Sequence, residues 1–174
     1  MIEMSLCPYP DQHPLKVTAI EASAWREGER WHFRYLLDGT AALVLPGPAT
    51  PGRADELWRT TCFEAFVGGD GETYREFNFS PSGQWAAYTF DSPRAGMRAA
   101  DALVEVWLEG GENWIAVEAA VTAELSAGAP FGLSAVIEEY GGHKSYWALG
   151  HSDGAPDFHD RACFRARLAN IAHA

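Results

Sequence analysis

No stretch of the chain is apolar for long enough to cross a bilayer as a helix. Cysteine is scarce as well. Cys7, Cys62 and Cys163 are odd in number and lack metal-type spacing, which excludes a disulfide framework and suits free thiols in a reducing compartment. Positive charge is also short, with 13 Lys and Arg against 24 Asp and Glu. The resulting net charge of −11 argues against a nucleic-acid backbone or an anionic membrane surface as partner. The first residues, MIEMSLCPYP, have neither the basic start nor the apolar stretch of a secretory signal, and "SLC" falls too early for a lipoprotein signal. The expected location is therefore the cytoplasm.

The familiar catalytic signatures are missing too. There is no Gly-rich phosphate loop, no G-x-S-x-G elbow, no H-E-x-x-H and no C-x-x-C. What is present is the material of a folded domain. Of the 174 residues, 47% are hydrophobic and 13% aromatic, too many for a disordered chain and enough for one real core.

The pattern is one of short strands between Gly, Pro and Asp punctuation. The expected strands are Lys16–Trp25, Trp31–Asp38, Ala41–Leu45, Thr61–Val67, Thr73–Phe79, Gln84–Phe90, Ala102–Leu108, Asn113–Val121, Phe131–Glu139, Ser145–Leu149 and Cys163–Leu168. Hairpin turns fit at Glu27-Gly28, Gly69-Asp70-Gly71 and Gly110-Gly111. No long stretch holds a 3.6-residue period; only Asp55–Leu57, Ala123–Leu125 and the C-terminal tail have room for a helical turn. The expectation is a single all-β domain over residues 1–174, an antiparallel β-sandwich with very little helix, with residues 1–14 as an N-terminal arm on its surface.

One segment stands out. In "YREFNFSPSGQWAAYTF", Tyr74, Glu76 and Asn78 share one strand face while Arg75, Phe77 and Phe79 share the other. The Phe face reads as core. The opposite face carries a carboxylate and an amide, and Glu64 in the preceding strand adds a second carboxylate. Residues alone leave two readings of this face open, a hydrogen-bonding ligand site or a solvated sheet surface. A third is a glycosidase-type pair made of Glu64 and Glu76. The densest set of candidate metal ligands is "HSDGAPDFHD", with His151, Asp153, Asp157, His159 and Asp160, although no spacing there matches a defined metal motif and a polar turn-rich loop explains it better. Among the tryptophans, Trp31, Trp107 and Trp114 lie in strand alternations and are expected in the core. Trp58, in a polar run, and Trp147, in "HKSYWALGH", are candidates for stacking on a flat ligand.

"LWRTTCFEAF", "YREFNFSPSGQWAAY" and "KSYWALGHSDGAPDFHDRACF" together resemble the bacterial DOMON-like proteins, related in fold to family-9 carbohydrate-binding modules. The resemblance runs from about Leu57 to Phe164. It implies an immunoglobulin-like sandwich whose concave face or edge binds a sugar or a haem, without implying an established activity; the expectation taken is of a non-catalytic binding domain. For a sugar, it implies stacking by Trp58 and Trp147, with hydrogen bonds from Glu64, Glu76 and Asn78, to which the residues themselves add Arg94 as a further candidate donor. For b-type haem, a redox or sensor role, it implies Met97 with one of His143, His151 or His159, though none of these pairs matches cleanly. No cofactor is expected, with haem or a divalent metal as the alternatives.

Overall fold

The computed structural model describes residues 1–168. Its strands are β1 (Ile2–Pro8), β2 (Ala19–Glu27), β3 (Arg30–Asp38), β4 (Gly52–Arg53), β5 (Cys62–Gly68), β6 (Tyr74–Phe79), β7 (Gln84–Phe90), β8 (Arg98–Ala99), β9 (Leu103–Gly110), β10 (Trp114–Thr122), β11 (Pro130–Glu139), β12 (His143–Ala148) and β13 (Ala166–Arg167). Four single 3₁₀ turns are the only helical elements among the described residues. The three expected hairpin turns form, joining β2 to β3, β5 to β6 and β9 to β10. The chain is all-β, as its period-two alternation requires.

One layer has the order β1-β2-β3-β10-β9, the other β4-β7-β6-β5-β11-β12, with β8 on β7 and β13 on β11. β1 joins the layers. Ile2 to Leu6 pair with β2, and Cys7 and Pro8 pair with β12. The N-terminal arm expected over residues 1–14 is thus mostly a strand. Its alternation (Ile2, Met4 and Leu6 on one side) was obscured by the prolines that follow it.

Between the layers lies a core of alternating residues, among them Phe33, Tyr35 and Leu37 from β3, Phe63 and Ala65 from β5, and Phe77 and Phe79 from β6. Phe33 and Phe79 stack across the layers with centroids 5.9 Å apart. The Tyr35 hydroxyl crosses the same gap to donate to the Glu64 carbonyl at 2.6 Å.

The two layers differ in what they do with their outer faces. β2 alternates buried with partly or fully exposed residues, as a one-sided sheet should. Every residue of β5 is buried, and β6 is nearly so. The outer face of the second layer is covered by a separate apolar cluster that includes Phe66, Tyr74, Tyr88, Phe90, Val136, Phe158 and Phe164. Gly132 shows how closely the covering loop approaches, since a Cβ there would lie 2.6 Å from the Cys163 carbonyl oxygen.

Several expected elements change. Ala41–Leu45 is not a strand; left-handed Gly39 turns the chain into a 3₁₀ turn, Thr40–Ala42, leaving one bridge from Leu43 to Glu139. Of Cys163–Leu168 only Ala166–Arg167 pairs, because a 3₁₀ turn over Arg161–Cys163 precedes it. The helical turn near Asp55–Leu57 is displaced to Leu57–Arg59, and none forms at Ala123–Leu125. The expected turn in the C-terminal tail lies outside the described residues. Trp31 is core, but Trp107 is 48% exposed. It shares its face with Glu105, outside the layer, whereas Val104 and Val106 face inward. Trp114 is only half-buried.

Glu139 closes one end of the sandwich. Its fully buried carboxylate accepts from the amides of Leu15 (2.6 Å), Lys16 (2.6 Å) and Val17 (3.1 Å), fixing the segment that leads into β2. Glu139→Ala would leave the buried Val17 amide unpaired and release the part-buried Leu15 and Lys16 amides, at a cost of about 1–3 kcal/mol. Urea melts should show that loss; a variant as stable as the parent would mean that the carboxylate does not hold this segment.

Candidate functional site

The outer face of the second layer follows strict cross-strand rows. One row is Ala86, Asn78, Glu64, Ser134 and Ala148, contributed in turn by β7, β6, β5, β11 and β12. The next is Tyr88, Glu76 and Phe66. Glu64 and Glu76 are therefore diagonal neighbours, a relation that places side chains about 7–8 Å apart at the backbone and within reach at their ends. Flanking Ala86 and Ala148 leave room over the polar row.

Three loops rise around this floor and enclose a cavity of about 810 Å³. The segment before β5 contributes Asp55, Glu56 and Trp58, the β7–β8 region Arg94 and Met97, and the loop before β13 Pro156, Phe158 and His159. Tyr88 and Phe90 complete one wall, Tyr146 and Val136 the other. Specific bonds fasten the loops. Tyr88 donates to Asp55, Arg94 pairs with Asp157 at 2.9 Å, and the Tyr9 hydroxyl donates to the Gly154 carbonyl. Among the described residues, Glu56 and Arg94 are the two non-glycine positions with left-handed φ, both 58°, and both line the cavity. Such conformations persist where surrounding bonds hold them, and they cluster at functional sites.

The electrostatics of the floor follow from burial. Glu64 is 3% exposed and Glu76 6%. Burial is the first cause that pushes Glu76 up to about 7; the Arg94 charge and the nearby Asn78 amide offset part of it. Glu64 is raised well above the usual carboxylate range, by burial first and then by the charge of Glu76. Its one bond is a long one from the Ser134 hydroxyl, 3.4 Å. Burial and mutual proximity thus bias both carboxyls toward their protonated forms.

Above them the Arg94 amide donates to the Tyr74 hydroxyl oxygen (3.0 Å), so the hydroxyl proton goes to His159 Nδ1 at 2.7 Å. This sets the tautomer with hydrogen on Nε2, which faces Glu76 at 3.8 Å, beyond hydrogen-bond range. Burial and the Arg94 charge hold His159 down at about 4, so it is neutral at pH 7.

The expected site residues separate clearly. Trp58, Glu64, Glu76 and Arg94 meet in the cavity. Asn78 lies on the same face but is wholly buried in the floor, and both its amide atoms lack a hydrogen-bond partner. Trp147 does not offer a ring to a ligand. It is 2% exposed, faces the core opposite Ala135, and donates to Ser145 at 3.0 Å. Its neighbour Tyr146 takes the outer face and lines the cavity instead.

Of the four candidate haem ligands, Met97 and His159 line the cavity. His143 and His151 do not; their rings contact the carbonyls of His13 (2.7 Å) and Cys7 (2.8 Å). The candidate metal set likewise disperses. His151 bonds near β1, Asp157 holds Arg94, His159 takes the Tyr74 proton and Asp160 caps a 3₁₀ turn. Among the described residues no three His, Cys, Asp or Glu converge as a metal site would need. Asp55, Tyr88, Phe90, Tyr146 and Phe158 had not been expected. Tyr88 and Phe90 had a readable signal, because the Ser80-Pro81-Ser82-Gly83 turn places them on the Glu76 face of β7.

Comparison with known proteins supports the class of fold. No family model matches the chain, and no curated protein does. Among solved structures it is similar to a crystal structure from Bacteroides uniformis, described provisionally as a carbohydrate-binding protein. The likeness has a TM-score of 0.63 at 16% identity and covers 94% of this chain and 84% of that one. At this identity the likeness establishes the antiparallel β-sandwich.

The two buried groups give opposite pH slopes. Glu76 has a folded value of about 7 against an ordinary 4.5, so its contribution is full below about 4.5 and is lost as pH rises through 7. His159 falls from 6.5 to about 4, so its contribution is lost as pH drops through that window. The slopes oppose between about 4.5 and 6.5. Because Glu64 is raised as well, the double variant Glu64→Gln with Glu76→Gln should leave stability rising with pH there, and His159→Gln should leave it falling. Urea melts across this range test the assignment, and variants whose curves run parallel to the parent would refute it.

Proposed function

We propose that the protein is a non-catalytic ligand-binding domain whose ligand is a carbohydrate or a sugar-containing small molecule, held in the cavity over Glu64 and Glu76. One observation carries the reading: a polar floor of carboxyls and an unpartnered amide lies under aromatic walls. Sugar hydroxyls need donors and acceptors in fixed directions, and a floor that keeps protons on its carboxyls supplies both. Apolar sugar faces need flat rings, and Trp58, 47% exposed on the cavity wall, offers one. The provisional description of the Bacteroides uniformis protein agrees with this choice. So does the DOMON-like, family-9-module-like resemblance of the sequence, although only Trp58, Glu64, Glu76 and Arg94 of its site line the cavity.

Haem has less support. Met97 and His159 face one cavity, yet His159 Nδ1 is bonded to Tyr74 and the protonated Nε2 is turned to Glu76. Neither imidazole nitrogen is free to take iron, so these residues do not fit the group as they stand. The Glu64/Glu76 pair has two carboxyls as a glycosidase does, but burial raises both, and both lie on the floor on one side of the cavity rather than flanking a bond.

The test is calorimetric titration with a panel of mono- and disaccharides, followed by recovery of the ligand. Binding of an unaltered sugar is expected. Trp58→Ala should weaken it about tenfold, the loss of one stacking ring, with little change in melting temperature. No saccharide binding, turnover of the sugar, or a Soret band after incubation with hemin would each contradict the proposal.

A further inference from the structure

The charges around the cavity are paired everywhere except at its floor. Arg94 is bound to Asp157 at 2.9 Å, Arg98 to Asp91 at 2.8 Å and Glu56 to Arg59 at 2.6 Å. Asp55 accepts from Tyr88. Glu64 and Glu76, the most buried acids of the cavity, have no permanent cation bound to them among the described residues. Glu64 has only the Ser134 hydroxyl at 3.4 Å, and the titratable partner of Glu76 is the His159 ring at 3.8 Å. Beside them Asn78 is fully buried opposite Glu64; its amide is close enough to Glu76 to favour the charged carboxylate, yet neither amide atom reaches a partner at hydrogen-bond geometry. Buried polar groups in folded proteins are rarely left so, and an orphaned amide next to two carboxyls marks a place where something else supplies the bonds.

We infer that the cavity selects a ligand carrying a protonated amine, within the sugar reading an amino sugar with a free ammonium group, which docks on Glu64 and Glu76 above the buried Asn78 amide. An ammonium has three donors and no acceptor, and the floor offers one carboxyl that can ionise against it and the carbonyl oxygen of the other. The surrounding Tyr88, Phe90 and Tyr146 add π faces that favour a cation once water is excluded. A hydroxyl supplies a single donor, and an N-acetyl group removes the charge.

The proton balance is explicit. Burial biases the unliganded pair toward its protonated forms; when the ammonium arrives, one carboxyl ionises against it and releases its proton to solvent, while the other keeps its proton and accepts through its carbonyl oxygen. The titratable and charged groups facing the pair are Arg94 and His159 from the loops, Tyr74 on β6, Tyr88 on β7 and Cys62 on β5. Tyr74, Tyr88 and Cys62 are raised by burial and stay neutral, and His159 is neutral above about 4, so the carboxyl pair is the source of the proton.

The inference rests on the carbohydrate reading, and one experiment separates their failures. D-Glucosamine and D-galactosamine are titrated at pH 6.5 in two buffers of different ionisation enthalpy. Their N-acetyl and hydroxyl counterparts, and benzylamine, are run alongside. The free amines should bind at least about tenfold tighter than their neutral counterparts, with release of about one proton. Glu64→Gln with Glu76→Gln should abolish both the preference and the proton release without lowering the melting temperature. Equal or tighter binding of neutral sugars, or a preference that survives the double substitution, overturns the amine inference and leaves the sugar reading standing. Binding of benzylamine alone, with proton release, keeps the amine site and overturns the sugar reading. No binding by any probe overturns both.

Discussion

The second layer is buried on both of its faces, and the character of the cavity follows from that constraint. An antiparallel sheet ordinarily gives one face to a core and one to water. Here the inner face packs against β3 and β10, and the outer face is covered by loops and a second apolar cluster. A carboxyl on such a face cannot keep its hydration, so its charged form is disfavoured. Glu64 and Glu76 would be ordinary surface acids on the first layer, where exposed Arg30 and Arg34 pair with Glu105 and Glu109. On the second layer they become a proton-holding pair.

The loops that create this burial are fastened in their turn by groups of the same face. Tyr74 takes an amide from Arg94 and gives its own proton to His159, so one hydroxyl joins the β7–β8 region to the loop before β13. Phe66, Tyr74 and Phe90 set their rings edge-on around His159. Arg94 is shared between holding Asp157 and lowering the cost of charge on Glu76. Its left-handed backbone is the strain that this double role imposes. The cavity is therefore held by bonds between its walls as well as by packing.

Much of this was legible in the sequence because strand periodicity is local. The division of Tyr74, Glu76 and Asn78 from Arg75, Phe77 and Phe79 needs only the period of two. The alignment of Glu64 with Asn78 then follows from the Gly69-Asp70-Gly71 hairpin. Where the reading failed, parity or distance was the reason. Trp147 was placed on the right strand but one residue out of phase, so the ring that lines the cavity is that of Tyr146. Trp107 failed likewise, sharing a face with Glu105 rather than with Val106. The residues of "HSDGAPDFHD" carried no period at all, and their partners Cys7, Tyr74 and Arg94 lie 63 or more positions away. The turn residues there announced a loop; only tertiary contacts could assign its side chains.

The account depends on the carboxyl pair, and the side-chain carbons of glutamate report it directly. Carbon-13 spectra of the glutamate carboxyls, followed from pH 3 to 9 and assigned with Glu64→Gln and Glu76→Gln, give each group's titration. The account predicts that Glu76 titrates near 7 and Glu64 well above the usual range, after other glutamates have ionised. Two curves with midpoints at the ordinary carboxylate value would contradict it, for they would mean that water reaches the floor and that the face is a solvated surface.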